Sequence, residues 1–187
     1  MLCATLAALL TAFASLLAAA SAFAAGAVRA CPTAAGAQPS MPNLGADEQA
    51  TLCLVNRIRA AQHLHTLRAN PQLSGVAASQ VSSMVRRNWF SDIRPGGVTP
   101  MTLVGGTGYR AHAAVIAVGQ NIAWGTGSFS TPAHIVAEWM ASPPHRAIIL
   151  SGEFRDAGVA IAPALPSVLG AGPAGATYAM EFAARHN

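Results

Sequence analysis

The sequence predicts an α+β layered domain. Three observations support this class: apolar residues at helical spacing in two early segments, a Thr-Pro start to a third helix, and two short apolar stretches near the end of the chain. Helices that precede and separate a few late strands are typical of α+β domains. With 187 residues, the chain is long enough for one domain with a sizeable core.

The first two helices are predicted over residues 46–62 and 71–88. Asp47 lies in the first turn of the first helix, where an acidic side chain suits the positive end of the helix dipole. Asn70 is a capping residue for the second helix, and Pro71 fits its first turn. Apolar residues recur on one face of each segment, so both helices should pack against a core.

The rest of the domain alternates loops, helices and strands. Residues 95–108 hold five glycines and two prolines and are predicted to form an irregular loop. The segment 119–125 is predicted to be a turn. A third helix should follow Thr131-Pro132 and stop at Pro143-Pro144. The remaining predicted elements are a short helical turn over 145–150 and strands over 157–162 and 176–182.

The chain begins with a segment typical of a secretory signal peptide. Residues 1–28 carry no charge and consist mainly of Ala and Leu, with small residues suited to cleavage near residue 25. We therefore predict a signal peptide over 1–25, a flexible Pro/Ala/Gly-rich arm over 26–45, and a folded domain over 46–187. A retained membrane anchor is the alternative, because the uncharged run is long enough to span a bilayer. Both possibilities predict a secreted or extracytoplasmic protein.

Two cysteines remain after the leader, Cys31 and Cys53. In an oxidising compartment this pair favours a disulfide, which would stabilise the domain by roughly 3 kcal/mol. Lipidation of Cys31 is the alternative, because Val28-Arg29-Ala30-Cys31 loosely resembles a lipoprotein cleavage site.

The charge pattern argues against nucleic-acid binding. The formal charge of +4 comes from scattered arginines, and the sequence contains no lysine and no basic stripe with interleaved aromatic residues. Motifs typical of serine hydrolases, zinc proteases and phosphate-binding loops are absent from the sequence. We expect a monomer that meets a membrane only through an uncleaved leader.

Several motifs together resemble the bacterial branch of the CAP superfamily, named after cysteine-rich secretory proteins, antigen five and pathogenesis-related class 1 proteins. They follow one another in the family's order from Glu48 to Phe182. The matching segments are 54–59 (Leu-Val-Asn-Arg-Ile-Arg), 67–73, 84–91, 119–125 (Gly-Gln-Asn-Ile-Ala-Trp-Gly), 139–143 and His145-Arg146. The resemblance implies a three-layer α-β-α sandwich, in which helices flank a small, mostly antiparallel sheet beside a polar cleft.

The resemblance also indicates which residues line this cleft: Asp92, Gln120, Asn121, Ser142 and His145. His145 matches the second histidine of the family pattern, whereas Asp92 stands where the first histidine is usual and Gln120 where a glutamate is usual. The resemblance implies that such groups bind a divalent cation such as zinc in some relatives, but an amide is a poor zinc ligand and cannot act as a general base. We therefore expect no required cofactor, and a weakened metal site with His145 and Asp92 as its remaining ligands.

Other interpretations of these residues stay open. Asp92 and His145 are as well suited to a simple ion pair as to a metal site, and Asn121 fits the role of fixing a turn. Other polar or aromatic residues have structural explanations: Trp139 as a core residue, Gln80 as a satisfied buried amide, His134 with Glu138 as an exposed i,i+4 pair, and His63-Leu64-His65 as surface.

Two functions from different classes follow from these residues. The first is a secreted, non-catalytic module that binds a small molecule, a lipid, cell-envelope material or another protein. The second is a weak metal-assisted hydrolase or peptidase, in which Asp92 and His145 position a water molecule and His145 serves as the base. Ser91 or Ser142 would be the nucleophile of a serine variant. The missing glutamate favours the binding module.

Overall fold

A computed structural model describes residues 30–170 and 174–187. The signal peptide predicted over residues 1–25 lies outside the described residues. The helices and strands are, in chain order, α1 (Leu44–Ala61), β1 (Arg68–Ala69), α2 (Pro71–Arg87), α3 (Pro100–Gly105), β2 (Val115–Thr126), α4 (Pro132–Ala141), α5 (Pro143–Ile149), β3 (Asp156–Ala162) and β4 (Gly175–His186).

The strands form one four-stranded sheet in the order β1-β3-β4-β2. β1 runs parallel to β3, and the other two pairings are antiparallel, so the predicted mostly antiparallel sheet is confirmed. The register places Gln120 of β2 opposite Glu181 of β4, and Asn121 opposite Met180. Because successive side chains of a strand point to opposite faces, Gln120 and Asn121 lie on different sides of the sheet.

Helices cover both faces of the sheet, as the predicted three-layer sandwich requires. α1, α4 and α5 pack on one face in a core that contains Trp139, Tyr178 and Phe182. The prediction that Trp139 is a core residue is confirmed. α2 packs on the other face, where its buried residues meet Ile116 and Ile122 of β2. Gln120 shares the face of these two isoleucines and therefore faces α2.

Helix α2 is capped at both ends and lies very close to the sheet. The Asn70 side chain accepts hydrogen bonds from the backbone N–H groups of Gln72 and Leu73, as its capping position predicted. At the other end Asn88 has a left-handed conformation with φ of 57°. A Cβ at Gly158 of β3 would lie 2.0 Å from the Ser74 backbone nitrogen, so only glycine allows this approach.

Two elements differ from the sequence prediction. The segment 95–108, predicted as irregular, contains helix α3, because the Thr99 hydroxyl accepts a hydrogen bond from the Thr102 N–H and Pro100 opens the helix. The segment 119–125, predicted as a turn, lies inside the 12-residue strand β2. Its glycine and amides are typical of turns, but pairing with β4 along its whole length fixes an extended conformation.

Arg59 is a fully buried side chain that joins three parts of the chain. Its guanidinium donates hydrogen bonds of 2.6 to 3.3 Å to the backbone carbonyls of His65, Ile149, Ser151 and Phe154. These carbonyls belong to the loop after α1, to the end of α5 and to the segment that leads into β3. Arg59 therefore holds helix α5 against helix α1.

A disulfide joins Cys31 to Cys53, as predicted. It links the arm to helix α1 across a sequence separation of 22 residues. Because the bond uses the Cys31 sulfur, lipidation of the same atom is excluded in this form of the protein. Within residues 30–170 and 174–187, no helix is both long and apolar enough to cross a membrane.

We predict that Arg59→Met lowers the free energy of unfolding by at least about 3 kcal/mol, because it leaves several buried carbonyls without donors. Urea unfolding of the purified domain measures this loss. Arg57→Met is the matched control, because Arg57 lies exposed on the same helix, and it should change stability by less than about 0.5 kcal/mol. Equal effects of the two variants would contradict the assigned role of Arg59.

Candidate functional site

Polar side chains from five parts of the fold meet where helix α2 ends over strands β2 and β4. Hydrogen bonds and charge interactions connect them to one another. These cleft residues are Gln80 of α2, Asp92 and Arg94 of the following loop, Gln120 of β2, Glu181 of β4 and His145 of α5. Charge interactions link Asp92 to His145 and to Glu181, the hydrogen-bond partner of Gln120.

Gln80 is fully buried, and its amide fastens the loop after α2 to the helix. The Nε2 group donates to the backbone carbonyls of Ser91 and Asp92, at 3.0 and 3.4 Å. Its Oε1 accepts a 2.8 Å hydrogen bond from Arg94 Nε, and Arg94 also donates to Ser79 Oγ. The prediction that Gln80 is a satisfied buried amide is confirmed.

Gln120 and Glu181 form a buried pair at the floor of the cleft. Gln120 Nε2 donates to Glu181 Oε1 at 2.5 Å. Glu181 has no exposed surface, and Gln120 is 6% exposed. The other oxygen of each group, Gln120 Oε1 and Glu181 Oε2, is buried and makes no hydrogen bond with another described residue. A carboxyl group is therefore present beside position 120, although it comes from the neighbouring strand.

Burial dominates the electrostatics of this pair. Removal from water raises the pKa of Glu181 to about 7. The Gln120 amide and the Arg94 guanidinium each lower the pKa of Glu181, whereas the negative charge of Asp92 raises it. Glu181 thus changes its charge near neutral pH, which is the range in which an acid–base group works best.

Asp92 and His145 are neighbours that do not touch. No ion pair within 4.0 Å joins them among the described residues, so the proposed direct pair does not form in this structure. Partial burial raises the pKa of Asp92, and the nearby His145 opposes this effect.

Asn121 contacts helix α5 rather than the other polar residues, whereas Ser91 has a local contact. Asn121 is fully buried on the other face of the sheet, and its Nδ2 donates to the backbone carbonyl of His145 at 3.1 Å. It thereby positions the helix that carries His145. The Ser91 hydroxyl accepts from the Ile93 N–H. Ser142 precedes α5 and makes no capping hydrogen bond with its side chain.

Sequence reasoning missed Glu181 and Arg94. Glu181 is the only charged residue in the segment 176–184, which is otherwise small, apolar or uncharged. A single carboxylate within a buried strand is costly unless it has a role or a partner, and this signal was available in the sequence. Arg94 carried no comparable signal, because it lies among loop residues.

The cleft residues do not fit a zinc site as they stand. Across residues 30–170 and 174–187, no three His, Cys, Asp or Glu side chains lie close enough to share a metal ion. The Gln120 amide nitrogen already binds Glu181, and an amide is a poor zinc ligand. His134 and Glu138, 3.5 Å apart on α4, form the predicted i,i+4 pair rather than a metal site.

Comparison with known proteins points to one protein family. The sequence profile described as the cysteine-rich secretory protein family, CAP, matches residues 52–164. An extracellular protein containing an SCP domain from Bacillus anthracis is 21% identical, with a TM-score of 0.60 over 81% of this chain and 45% of that one. No curated protein sequence matches the chain.

Two further solved structures have the same fold. An outer surface protein from Borrelia burgdorferi is 15% identical, with a TM-score of 0.61 over 80% of this chain and 98% of its own. A cysteine-rich secretory protein from Staphylococcus aureus is 15% identical, with a TM-score of 0.54 over 79% of this chain and 41% of its own. The chain spans less than half the length of the Bacillus and Staphylococcus chains. At these identities the likeness establishes the fold.

The raised pKa of Glu181 predicts a stability that falls as pH rises. Between its unfolded value of about 4.3 and its folded value of about 7, the folded state binds more protons than the unfolded state. The contribution of Glu181 to the free energy of unfolding is fully present below the unfolded pKa and is lost above the folded pKa. The loss is on the order of 3 kcal/mol. Glu181→Gln should therefore be more stable than wild type at pH 8 and close to it at pH 4.

Urea unfolding across this pH range measures the effect. Glu138→Gln is the control, because Glu138 is exposed on α4, and its stability curve should run nearly parallel to that of wild type. Parallel curves for wild type and Glu181→Gln would contradict the assigned pKa.

We also predict that the wild-type domain binds zinc weakly, and that Asp92→His combined with Gln120→Glu raises zinc affinity at least tenfold. The double variant adds one imidazole and places a second carboxylate opposite Glu181, and both groups are suitable zinc ligands. Isothermal titration of both proteins with zinc tests this. Stoichiometric, tight zinc binding by the wild type would show that the substitutions did not weaken the site.

Proposed function

The chain belongs to the CAP family of cysteine-rich secretory proteins, and from this membership we propose that it is an exported binding module for a polar ligand of the cell envelope. The observation that supports this most directly is the set of polar side chains that meet at the cleft. Asp92 interacts electrostatically with His145, and Gln120 has a buried oxygen without a hydrogen-bond partner in the described chain.

The chemistry of the cleft favours a ligand rich in hydrogen-bonding groups, such as sugar or peptide units of a cell wall. Asp92 offers a carboxylate and His145 an imidazole, while Arg94 is engaged by Gln80 and Ser79. An amide in place of a glutamate at position 120 suits neutral hydrogen bonding better than metal-assisted chemistry. We therefore place the ligand between the loop after α2 and helix α5.

A lipid ligand would use a different part of the surface. A groove of about 390 Å³ lies between α1 and α4, and its lining is apolar apart from Arg57. The members of this lining are Leu54, Arg57, Ile58, Ala61, Ala133, Val136 and Ala137. Variants of this groove and of the cleft therefore separate the two ligand classes.

Export is supported by three observations. The disulfide between Cys31 and Cys53 is typical of oxidising compartments. The structural relatives from Bacillus anthracis and Borrelia burgdorferi are described as an extracellular protein and an outer surface protein. The segment 1–25 has the composition of a signal peptide.

A weak hydrolase is the second candidate, and Glu181 is the observation that favours it. Its carboxyl group has a pKa of about 7 and lies in the same region as Asp92 and His145. A carboxyl group with this pKa is partly ionised at neutral pH, as a general base requires. In the metal-assisted form of this mechanism, Asp92 and His145 would position the water molecule.

We predict that the exported domain sediments with purified bacterial peptidoglycan and that Asp92→Arg lowers its affinity at least tenfold. Reversing the charge removes an acceptor and places a cation beside His145. Glu138→Arg is the matched control, because it reverses the charge of an exposed acid on α4 and should leave binding unchanged. Binding to phospholipid vesicles that is insensitive to Asp92→Arg would instead favour the α1/α4 groove.

The variant His145→Ala separates binding from catalysis. For a binding module we expect the affinity of His145→Ala for peptidoglycan to fall, because the imidazole contact is lost, and neither protein to turn over peptide or ester substrates. For a hydrolase we expect chelator-sensitive turnover of peptide or ester substrates that His145→Ala abolishes. Such turnover would overturn the non-catalytic proposal.

A further inference from the structure

Two of the buried oxygens that lack a hydrogen-bond partner among the described residues belong to one pair of side chains, Gln120 and Glu181. Gln120 and Glu181 face one another in register across β2 and β4, and one hydrogen bond already joins them, from Gln120 Nε2 to Glu181 Oε1. The remaining oxygens, Gln120 Oε1 and Glu181 Oε2, are both buried and both acceptors when the carboxyl group is ionised. An ionised Glu181 would thus leave two buried acceptors unpaired on the two groups that this bond holds together.

A single proton on Glu181 would give both of these buried oxygens a hydrogen bond. A protonated carboxyl group has one O–H donor and one carbonyl acceptor, and a primary amide has the complementary N–H donor and carbonyl acceptor. With the proton on Oε2, Glu181 can donate to Gln120 Oε1 while Gln120 Nε2 donates to Glu181 Oε1. Glu181 Oε2 is then the donor of the second hydrogen bond and Gln120 Oε1 is its acceptor.

We propose that Glu181 is held as a neutral carboxylic acid by two reciprocal hydrogen bonds with Gln120, and that this acid–amide pair is a proton-binding site at the floor of the cleft. The proposal stands on the register, the burial and the unpaired oxygens, and does not depend on the ligand of the cleft. Glu181 and Gln120 together bind one proton in a pair of reciprocal hydrogen bonds, which neither side chain can form alone.

The charged groups around the pair are consistent with this state. From the loop after α2, Asp92 opposes ionisation of Glu181 and Arg94 favours it, but the hydrogen bonds of Arg94 go to Gln80 and Ser79. From α5, His145 acts on Asp92. On β3, the residue opposite Glu181 is Gly158, which carries no charge. Desolvation of Glu181 is the largest effect and favours the neutral form.

Loss of the proton changes both the pair and the cleft. The second hydrogen bond disappears, two acceptor oxygens face each other, and a negative charge appears near Asp92. If the proposed binding function holds, a ligand with a negative group should then bind more weakly above neutral pH than below it. The pair would thus make occupancy of the cleft sensitive to pH.

Carbon-13 NMR of the glutamate carboxyl groups tests the proposal on the native chain. The sequence contains four glutamates, at positions 48, 138, 153 and 181, so the spectrum holds few resonances. Glu181→Gln identifies the resonance of Glu181 by its absence. We expect this resonance to titrate near neutral pH, well above the value of about 4.3 for a solvated glutamate. Titration in the ordinary range would overturn the proposal.

The Gln120 side-chain amide provides a second readout. Its proton and nitrogen shifts should follow the same pH midpoint as the Glu181 carboxyl group, because ionisation breaks one of the two bonds that join them. The amide of Gln49, which is exposed on α1, is the control and should not follow this midpoint. If the chemical shifts of the Gln120 amide do not change as Glu181 titrates, Glu181 is a buried acid without a reciprocal hydrogen bond to Gln120.

Exchanging the two residues tests reciprocity. Gln120→Glu alone places two carboxyl groups together, and its urea midpoint should fall steeply above neutral pH as the shared proton is lost. Adding Glu181→Gln to it restores one acid and one amide in reversed order, and should restore most of the midpoint and a near-neutral titration. A double variant as unstable as Gln120→Glu would overturn reciprocity. The native-chain titration decides the matter if these variants do not fold.

Discussion

The arrangement of the cleft depends on the hydrogen bonds that the buried Arg59 guanidinium donates to backbone carbonyls. Arg59 keeps its positive charge and receives no carboxylate among the residues that the structure describes, so backbone carbonyls take the place of an anion. Two of these carbonyls, from Ile149 and Ser151, lie at and just beyond the end of helix α5. Asn121 holds the start of the same helix through the His145 carbonyl. A helix of seven residues is thereby fixed at both ends.

This fixation explains how one cleft can combine groups from both faces of a sheet. His145 comes from the layer of α1, α4 and α5, whereas Gln80, Asp92 and Arg94 come from the layer of α2. Glu181 and Gln120 lie between them, within the sheet itself. The only exposed acid of this group is Asp92, and the other carboxyl group is shielded from water. The cleft therefore presents a small net charge, in agreement with a role in hydrogen bonding.

Local signals allowed much of the fold to be predicted from sequence. Asn70-Pro71 marks the start of α2 because a cap and a first-turn proline act within a few residues. The disulfide was predicted for a different reason, because Cys31 and Cys53 are the two cysteines that follow the predicted leader. Strand β2 was missed, because Gly119, Gln120 and Asn121 have turn propensity and their extended conformation comes from β4, some sixty positions later. The lone carboxylate of Glu181 in an apolar segment was a visible signal, but its partner Gln120 is defined by a register that a single sequence does not display.

The alternation of side chains along β2 has an evolutionary consequence. Gln120 serves the cleft and Asn121 serves helix α5, and the two amides are adjacent in the chain. An insertion or deletion of one residue within the strand would exchange them, sending the cleft amide into the core and the helix anchor into the cleft. Descendants of this protein can therefore vary the chemistry of the cleft by substitution at position 120 or 181, whereas a change in the length of β2 would displace both amides.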